Sequence, residues 1–151
     1  MKEFSTINDI LDFAIMAEQE AVDFYTQLAN QTKDNHIKDI FLGFAKEEIG
    51  HKTKLTQIKT TGNLTLGGKT VPDMKVSDYL TDVEVKPGMS YQDALIVAMK
   101  KEKAAFKLYM DLSAKTDDEA FKNLFLNLAM EESKHKLKFE IEYDEYVLRE
   151  N

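Results

Sequence analysis

The chain has 151 residues, a net charge of −7 and a predicted pI near 5. That is enough length for one domain with a real core, and the acidic balance argues against nucleic acid or an anionic membrane surface as the main partner. There is no cysteine, which excludes disulfides, thiolate catalysis, zinc ribbons and iron–sulfur clusters. The N-terminus, MKEFSTINDILDF, has no apolar run like a signal peptide, and no stretch approaches the roughly 18 apolar residues of a membrane span. A cytoplasmic protein without membrane association is the expectation.

The elements are read in chain order. Thr6 is an N-cap ahead of an apolar-periodic run, which places a first helix at about 6–31. A second helix is expected at about 34–60. Residues 61–89 carry Gly62, Gly67, Gly68, Pro72, Pro87 and Gly88, with helical character only in a short turn near Ser77–Leu80. Ser90 caps a third helix at about 90–115, and a fourth runs over about 118–148. The joints at Gln31–Asp34 and Lys115–Asp118 are short, so each pair folds back as an antiparallel hairpin. A helix of about 24 residues is about 36 Å long. The connector at about 61–89 can travel back along that whole length. The expected fold is all-α: a ferritin-like antiparallel four-helix bundle of two hairpins joined by one long crossover, with residues 1–151 as a single domain.

The two halves are related. Shifted by 84 residues, Asp9–Lys54 aligns without a gap with Asp93–Lys138, and 18 of 46 positions are identical. Glu18 meets Glu102, Tyr25 meets Tyr109, Glu48 meets Glu132 and His51 meets His135.

Heptad-spaced seams run along each helix. The first has Leu11, Ala14, Glu18, Ala21, Tyr25 and Leu28; its repeat partner has Leu95, Ala98, Glu102, Ala105, Tyr109 and Leu112. The second has Phe41, Phe44, Glu48, His51 and Leu55; its partner has Phe125, Leu128, Glu132, His135 and Phe139. Each seam is apolar except at mid-length. Four carboxylates in one buried layer repel and take up protons, and no lysine or arginine stands at these seam positions to neutralise them. Two divalent cations would balance the charge of −4, with two imidazoles as neutral nitrogen ligands. Residues i and i+3 share a helix face, so Glu48 with His51, and Glu132 with His135, can each grip one centre. A Glu on each of two helices and Glu-x-x-His on each of the other two is the carboxylate di-iron or di-manganese pattern. The metal-ligand candidates are therefore Glu18, Glu48, His51, Glu102, Glu132 and His135. Metal identity is not in the motif, since affinity order alone favours zinc over ferrous iron.

The neighbours have simpler readings. Glu20, Glu47 and Glu131 lie about 100–200° around their helices from the seams and read as solvated. His36 has Ala120 as its repeat partner and reads as a surface residue. Met16, Met99, Met110 and Met130 read as packing residues. Tyr25 and Tyr109 are core aromatics that can also donate hydrogen bonds to ligand carboxylates, and they are the candidates for a catalytic supporting role.

On Glu18-x-x-Ala21 with Phe24-Tyr25, Glu47-Glu48-x-x-His51, Glu102-x-x-Ala105 with Tyr109, and Glu131-Glu132-x-x-His135, the chain resembles the di-iron domain of the rubrerythrins, in the ferritin-like superfamily. The resemblance covers nearly all of 5–148. It implies two iron ions, with manganese or zinc as alternatives. Glu48 and Glu132 would bridge them, Glu18 and Glu102 would be terminal carboxylates, and His51 and His135 terminal nitrogen ligands. It further implies an oxidoreductase of oxidative-stress defence acting on hydrogen peroxide or dioxygen, in a homodimer. Two departures stand out. Rubrerythrins carry a four-cysteine iron domain, whereas this chain has no cysteine, so electrons are expected from a separate rubredoxin-like donor. Rubrerythrins also have an extra Glu one turn after the helix-3 ligand, where this chain has Ala105. The symmetric set of four Glu and two His is closer to the bacterioferritin type. That leaves a ferroxidase or iron-handling protein, or a metal-stabilised interaction bundle, as alternatives.

Overall fold

The computed structural model describes residues 3–66, 74–81 and 86–150. Among the described residues, four α-helices make up the fold: α1 (Ile7–Gln31), α2 (Asn35–Thr61), α3 (Tyr91–Lys115) and α4 (Glu119–Glu150), with a 3-10 turn at Val76–Tyr79 between α2 and α3. The stretches 67–73 and 82–85 of the expected connector lie outside the described residues.

Caps define the helix starts. The Asp9 N–H donates to Thr6 Oγ1 (3.0 Å) while the Thr6 N–H donates to Asp9 Oδ2 (3.2 Å), a reciprocal capping box. Ser90 caps α3 by accepting from the Asp93 N–H at 3.1 Å. Asp34 Oδ1 accepts from the His36 and Ile37 N–H groups, and Asp118 Oδ1 accepts from those of Ala120 and Phe121. Thr6 and Ser90, and Asp34 and Asp118, are 84 residues apart, so the repeat extends to the chemistry that starts each helix. Gly62 ends α2 in the left-handed conformation (φ 67°), and its N–H donates to the Ile58 carbonyl at 3.1 Å.

Side-chain pairs fix the helix directions. Between α1 and α2, Lys52 bonds Gln19 and Lys59 bonds Asp12; between α3 and α4, Tyr91 bonds Glu142 near one end and Ser113 bonds the Lys122 carbonyl near the other. Between α1 and α3, Tyr25 bonds Glu102 and Tyr109 bonds Glu18. Between α2 and α4, His51 meets Glu131 and His135 meets Glu47. In every pair of helices one number falls as the other rises, so all four contacts are antiparallel, and α2 and α3 run parallel. That arrangement is the ferritin-like four-helix bundle.

The apolar core is split in two by a polar layer. One cluster holds Leu11, Ala14, Leu55, Tyr109, Leu112, Phe125 and Ala129. The other holds Leu95, Ala98, Phe139, Tyr25, Leu28, Phe41 and Ala45. These are the same positions exchanged by 84 residues. The sequence repeat is therefore a pseudo-twofold axis in space, and the axis passes through the layer between the clusters.

The methionines differ from expectation. Met16, Met110 and Met130 are exposed, and Met99 alone of the four packs against a core cluster. The reason is register: the three exposed residues fall outside the seam stripe of their helices. His36 is exposed, as expected of its place just after a helix joint.

Candidate metal centre

The layer between the clusters contains Glu18, Glu48, His51, Glu102, Glu132 and His135, all buried to 2% exposure or less. α1 and α3 each supply one carboxylate at mid-length, and α2 and α4 each supply a carboxylate and an imidazole one turn apart. All six sequence-derived candidates are brought together.

They fall into two groups whose ligand atoms lie within 4.8 Å of one another: Glu18, Glu48, His51 and Glu132; and Glu48, Glu102, Glu132 and His135. Glu48 and Glu132 belong to both groups, so each could serve both. His51 Nδ1 is 3.0 Å from Glu132 Oε1, 3.2 Å from Glu48 Oε1 and 3.6 Å from Glu18 Oε2. His135 Nδ1 is 3.5 Å from Glu48 Oε1 and 3.7 Å from Glu102 Oε2. Each of the six residues presents one buried atom without a hydrogen-bond partner: Glu18 Oε2, Glu48 Oε1, His51 Nδ1, Glu102 Oε2, Glu132 Oε1 and His135 Nδ1. Native interiors seldom leave buried polar atoms unpaired, because each costs its desolvation free energy. Six converging orphan atoms, four carboxylate oxygens and two imidazole nitrogens, fit a pair of metal cations.

The electrostatics agree. Burial, with the charge of Glu48, raises the Glu18 carboxyl to about 7, against the opposing pull of the His51 imidazole and the Tyr109 hydrogen bond. Burial and the charges of Glu102, Glu18 and Glu48 drive Glu132 well above the usual carboxylate range. Burial alone would depress both histidines. The nearby carboxylates of Glu18 and Glu48 instead lift His51 to about 11, and Glu102 above all lifts His135 to about 9. The metal-free layer thus gathers protons to offset its crowded negative charge, the role that cations take when bound.

The remaining atoms of the ligand set are already held. The Tyr25 hydroxyl donates to Glu102 Oε1, and the Tyr109 hydroxyl donates to Glu18 Oε1. Each phenol, fully buried and facing carboxylates, is pushed well above its ordinary pKa and keeps its proton. On the other side of the layer, His51 Nε2 meets Glu131 Oε2, and His135 Nε2 meets Glu47 Oε2. This corrects the reading of Glu47 and Glu131 as solvated. Their side chains are 51% and 41% exposed, yet each carboxylate tip reaches across to the opposite helix and sets its partner histidine with Nδ1 inward. Angular distance from the seam missed them because α2 and α4 lie side by side, so a flanking position on one faces the other. The doubled Glu-Glu-x-x-His was the available signal. Glu20 is different: it is exposed, and Lys101 Nζ lies 3.9 Å from it.

A sequence model of the rubrerythrin family matches residues 9–140. The chain belongs to the rubrerythrin family. The match spans the repeat and both halves of the polar layer, so all six converging residues lie within the matched region. Among solved structures, the chain is similar to a hypothetical protein from Pyrococcus furiosus, with a TM-score of 0.70 and 27% identity, covering 89% of this chain and 86% of that one. It shares its fold with a protein from Thermotoga maritima described as a candidate ferritin-like diiron-carboxylate protein, with a TM-score of 0.76 and 20% identity, covering 97% of this chain and 99% of that one. No curated protein matches the chain. No helix among the described residues is long and apolar enough to cross a membrane.

Proposed function

We propose that this protein is a non-haem di-iron oxidoreductase acting on hydrogen peroxide or dioxygen. The observation that carries the reading is the set of six orphaned buried atoms in two groups that share Glu48 and Glu132. Membership of the rubrerythrin family, and the printed description of the Thermotoga maritima protein as diiron-carboxylate, support iron as the metal. Glu18, Glu48, His51 and Glu132 would hold one ion, and Glu48, Glu102, Glu132 and His135 the other. When bound, two ferrous ions supply one electron each to the oxidant.

The chain's own part is positioning. Tyr25 and Tyr109 hold the outer oxygens of Glu102 and Glu18, leaving one oxygen of each free to face the centre. Glu47 and Glu131 hold the imidazoles. The two apolar clusters close the layer from both ends. The 151 residues hold no thiolate iron site, and a rubredoxin-like protein would supply the electrons. Association as a homodimer belongs to the same reading.

A second reading, oxidation and handling of ferrous iron, is favoured by one feature. Ala105 lines the cavity beside the layer, so position 105 contributes no further carboxylate and the donor set remains symmetric.

Anaerobic addition of two equivalents of ferrous iron, followed by stopped-flow mixing with H₂O₂ or O₂, tests both. Faster oxidation by H₂O₂ supports peroxide reduction. Oxidation by O₂ with uptake well beyond two ions per chain supports iron handling. No oxidation by either reagent overturns both.

A further inference from the structure

A cavity of about 190 Å³ lies against the α1–α3 side of the polar layer. Its floor is formed by Glu18, Glu48 and Glu132. Its walls are apolar, with Ala21, Ala105 and Leu108 among them. Ala21 and Ala105 are repeat partners, so the cavity straddles the pseudo-twofold axis over the centre. The symmetry ends at the roof. Tyr79 and Leu80 come from the connector, which has no counterpart in the repeat. The roof is tied down by the Tyr79 hydroxyl, which donates to Asp111 Oδ2 on α3 at 2.6 Å, and by Lys107 Nζ, 4.9 Å from the Tyr79 ring centroid.

Volume and lining point to the occupant. A water needs about 10–15 Å³ of such space, and an engineered apolar cavity of about 150 Å³ takes benzene. Hydrogen peroxide, two oxygens in length, would leave most of 190 Å³ empty. Apart from the carboxylates of the floor, the charged residues lining the cavity are Glu20 and Lys101, which pair with each other at 3.9 Å and so offer no net attraction to an ion. Apolar walls of benzene-sized capacity above a carboxylate floor suit an uncharged molecule with an organic group at one end and oxygen at the other.

We propose that this cavity binds the organic group of a small alkyl hydroperoxide with its O–O end against the carboxylate layer, making such hydroperoxides preferred over H₂O₂. The inference rests on the di-iron reading above for its redox step. The O–O bond of ROOH breaks and two protons are taken up. ROH and H₂O form, and two ferrous ions are each oxidised by one electron.

The test has two arms. In the metal-free protein, tert-butanol serves as probe, and intermolecular NOEs from its methyls to ¹³C-labelled alanine methyls are measured. Contacts with Ala21 and Ala105, lost in Ala105→Phe and in Ala104→Leu, are expected. Ala104 also lines the cavity, so the second variant carries the test if the first does not fold. Absence of NOEs in the wild type, or their persistence in a folded filled variant, overturns the assignment. In the second arm, ferrous-loaded protein is mixed with tert-butyl hydroperoxide or H₂O₂. The wild type is expected to react faster with the organic peroxide, and the ratio of the two rates should fall by about tenfold or more in the filled variant, as for other apolar pockets that lose their fit. Faster reaction with H₂O₂, or an unchanged ratio, overturns the hydroperoxide preference and leaves the di-iron reading standing. Reaction with neither peroxide overturns the redox step, while the NOEs still report whether the cavity takes an organic group.

Discussion

The Tyr25 hydroxyl donates to Glu102, 77 residues away, and its repeat partner Tyr109 donates to Glu18, 91 residues away. Each half of the chain thus steadies, in the other half, the glutamate that belongs to one ligand group alone. The reciprocity makes a clear prediction. Tyr25→Phe should keep the fold and weaken binding chiefly at the Glu102–His135 group, by roughly 10–100-fold as for other outer-sphere partners. Tyr109→Phe should do the same at the Glu18–His51 group. Chelator competition with two-site analysis checks which site responds.

Glu47→Gln and Glu131→Gln remove the carboxylate that faces His135 and His51 respectively. Metal affinity should again fall roughly 10–100-fold, although both side chains are substantially exposed. Glu20→Gln, on a solvated pair outside the ligand set, should leave affinity within about twofold, since such exposed pairs contribute little. Equal losses in all three variants would argue for a general charge effect instead of histidine positioning.

The metal-free chain should lose stability as pH rises. The Glu18 carboxyl moves from 4.5 to about 7 on folding, His135 from 6.5 to about 9 and His51 from 6.5 to about 11. In each case the folded state binds more protons than the unfolded chain across the interval, so stability falls with rising pH. The Glu18 contribution is lost between pH 4.5 and 7. Those of the histidines are fully present below 6.5 and lost through 9 and 11. Metal binding requires the deprotonated forms, so the stabilisation given by added metal should grow over the same range. Denaturant midpoints at several pH values, with chelator and with two equivalents of metal, should diverge as pH increases.

Glu132→Leu addresses the cost of the layer itself. Glu132 is 1% exposed and held well above its usual pKa by burial and three neighbouring carboxylates. Replacing such a group with an apolar side chain of similar size should stabilise the metal-free bundle, by roughly 1–4 kcal/mol on the precedent of buried ionic clusters. Because Glu132 belongs to both groups, the same variant should lose binding of both metals. Urea unfolding and metal stoichiometry measure the two effects.

Phe41→Ala and Phe125→Ala create cavities at repeat-related, fully buried positions, one in each apolar cluster. Each should cost roughly 3–5 kcal/mol, with metal stoichiometry retained if the layer is independent of packing at either end. Calorimetric unfolding with metal analysis distinguishes the two contributions.

Local chemistry determined much of this protein. The caps at Thr6 and Ser90, the glycines and prolines of the connector, and the seam spacing are short-range properties, so helix limits were legible to within a residue or two. The six residues of the layer were legible because ionisable side chains interrupt apolar stripes, twice, at one repeat spacing. Other features depended on how helices sit against one another. Glu47 and Glu131 look solvated on an isolated helix and touch histidines only because α2 and α4 are antiparallel neighbours. Met16 and Met130 have apolar side chains suited to a core, yet helix rotation leaves them outside. The cavity over Ala21 and Ala105 exists only once the connector carries Tyr79 and Leu80 across α1 and α3. Spacing along a chain specifies which residues share a face, but the neighbour on that face, and the space left between them, follow from packing.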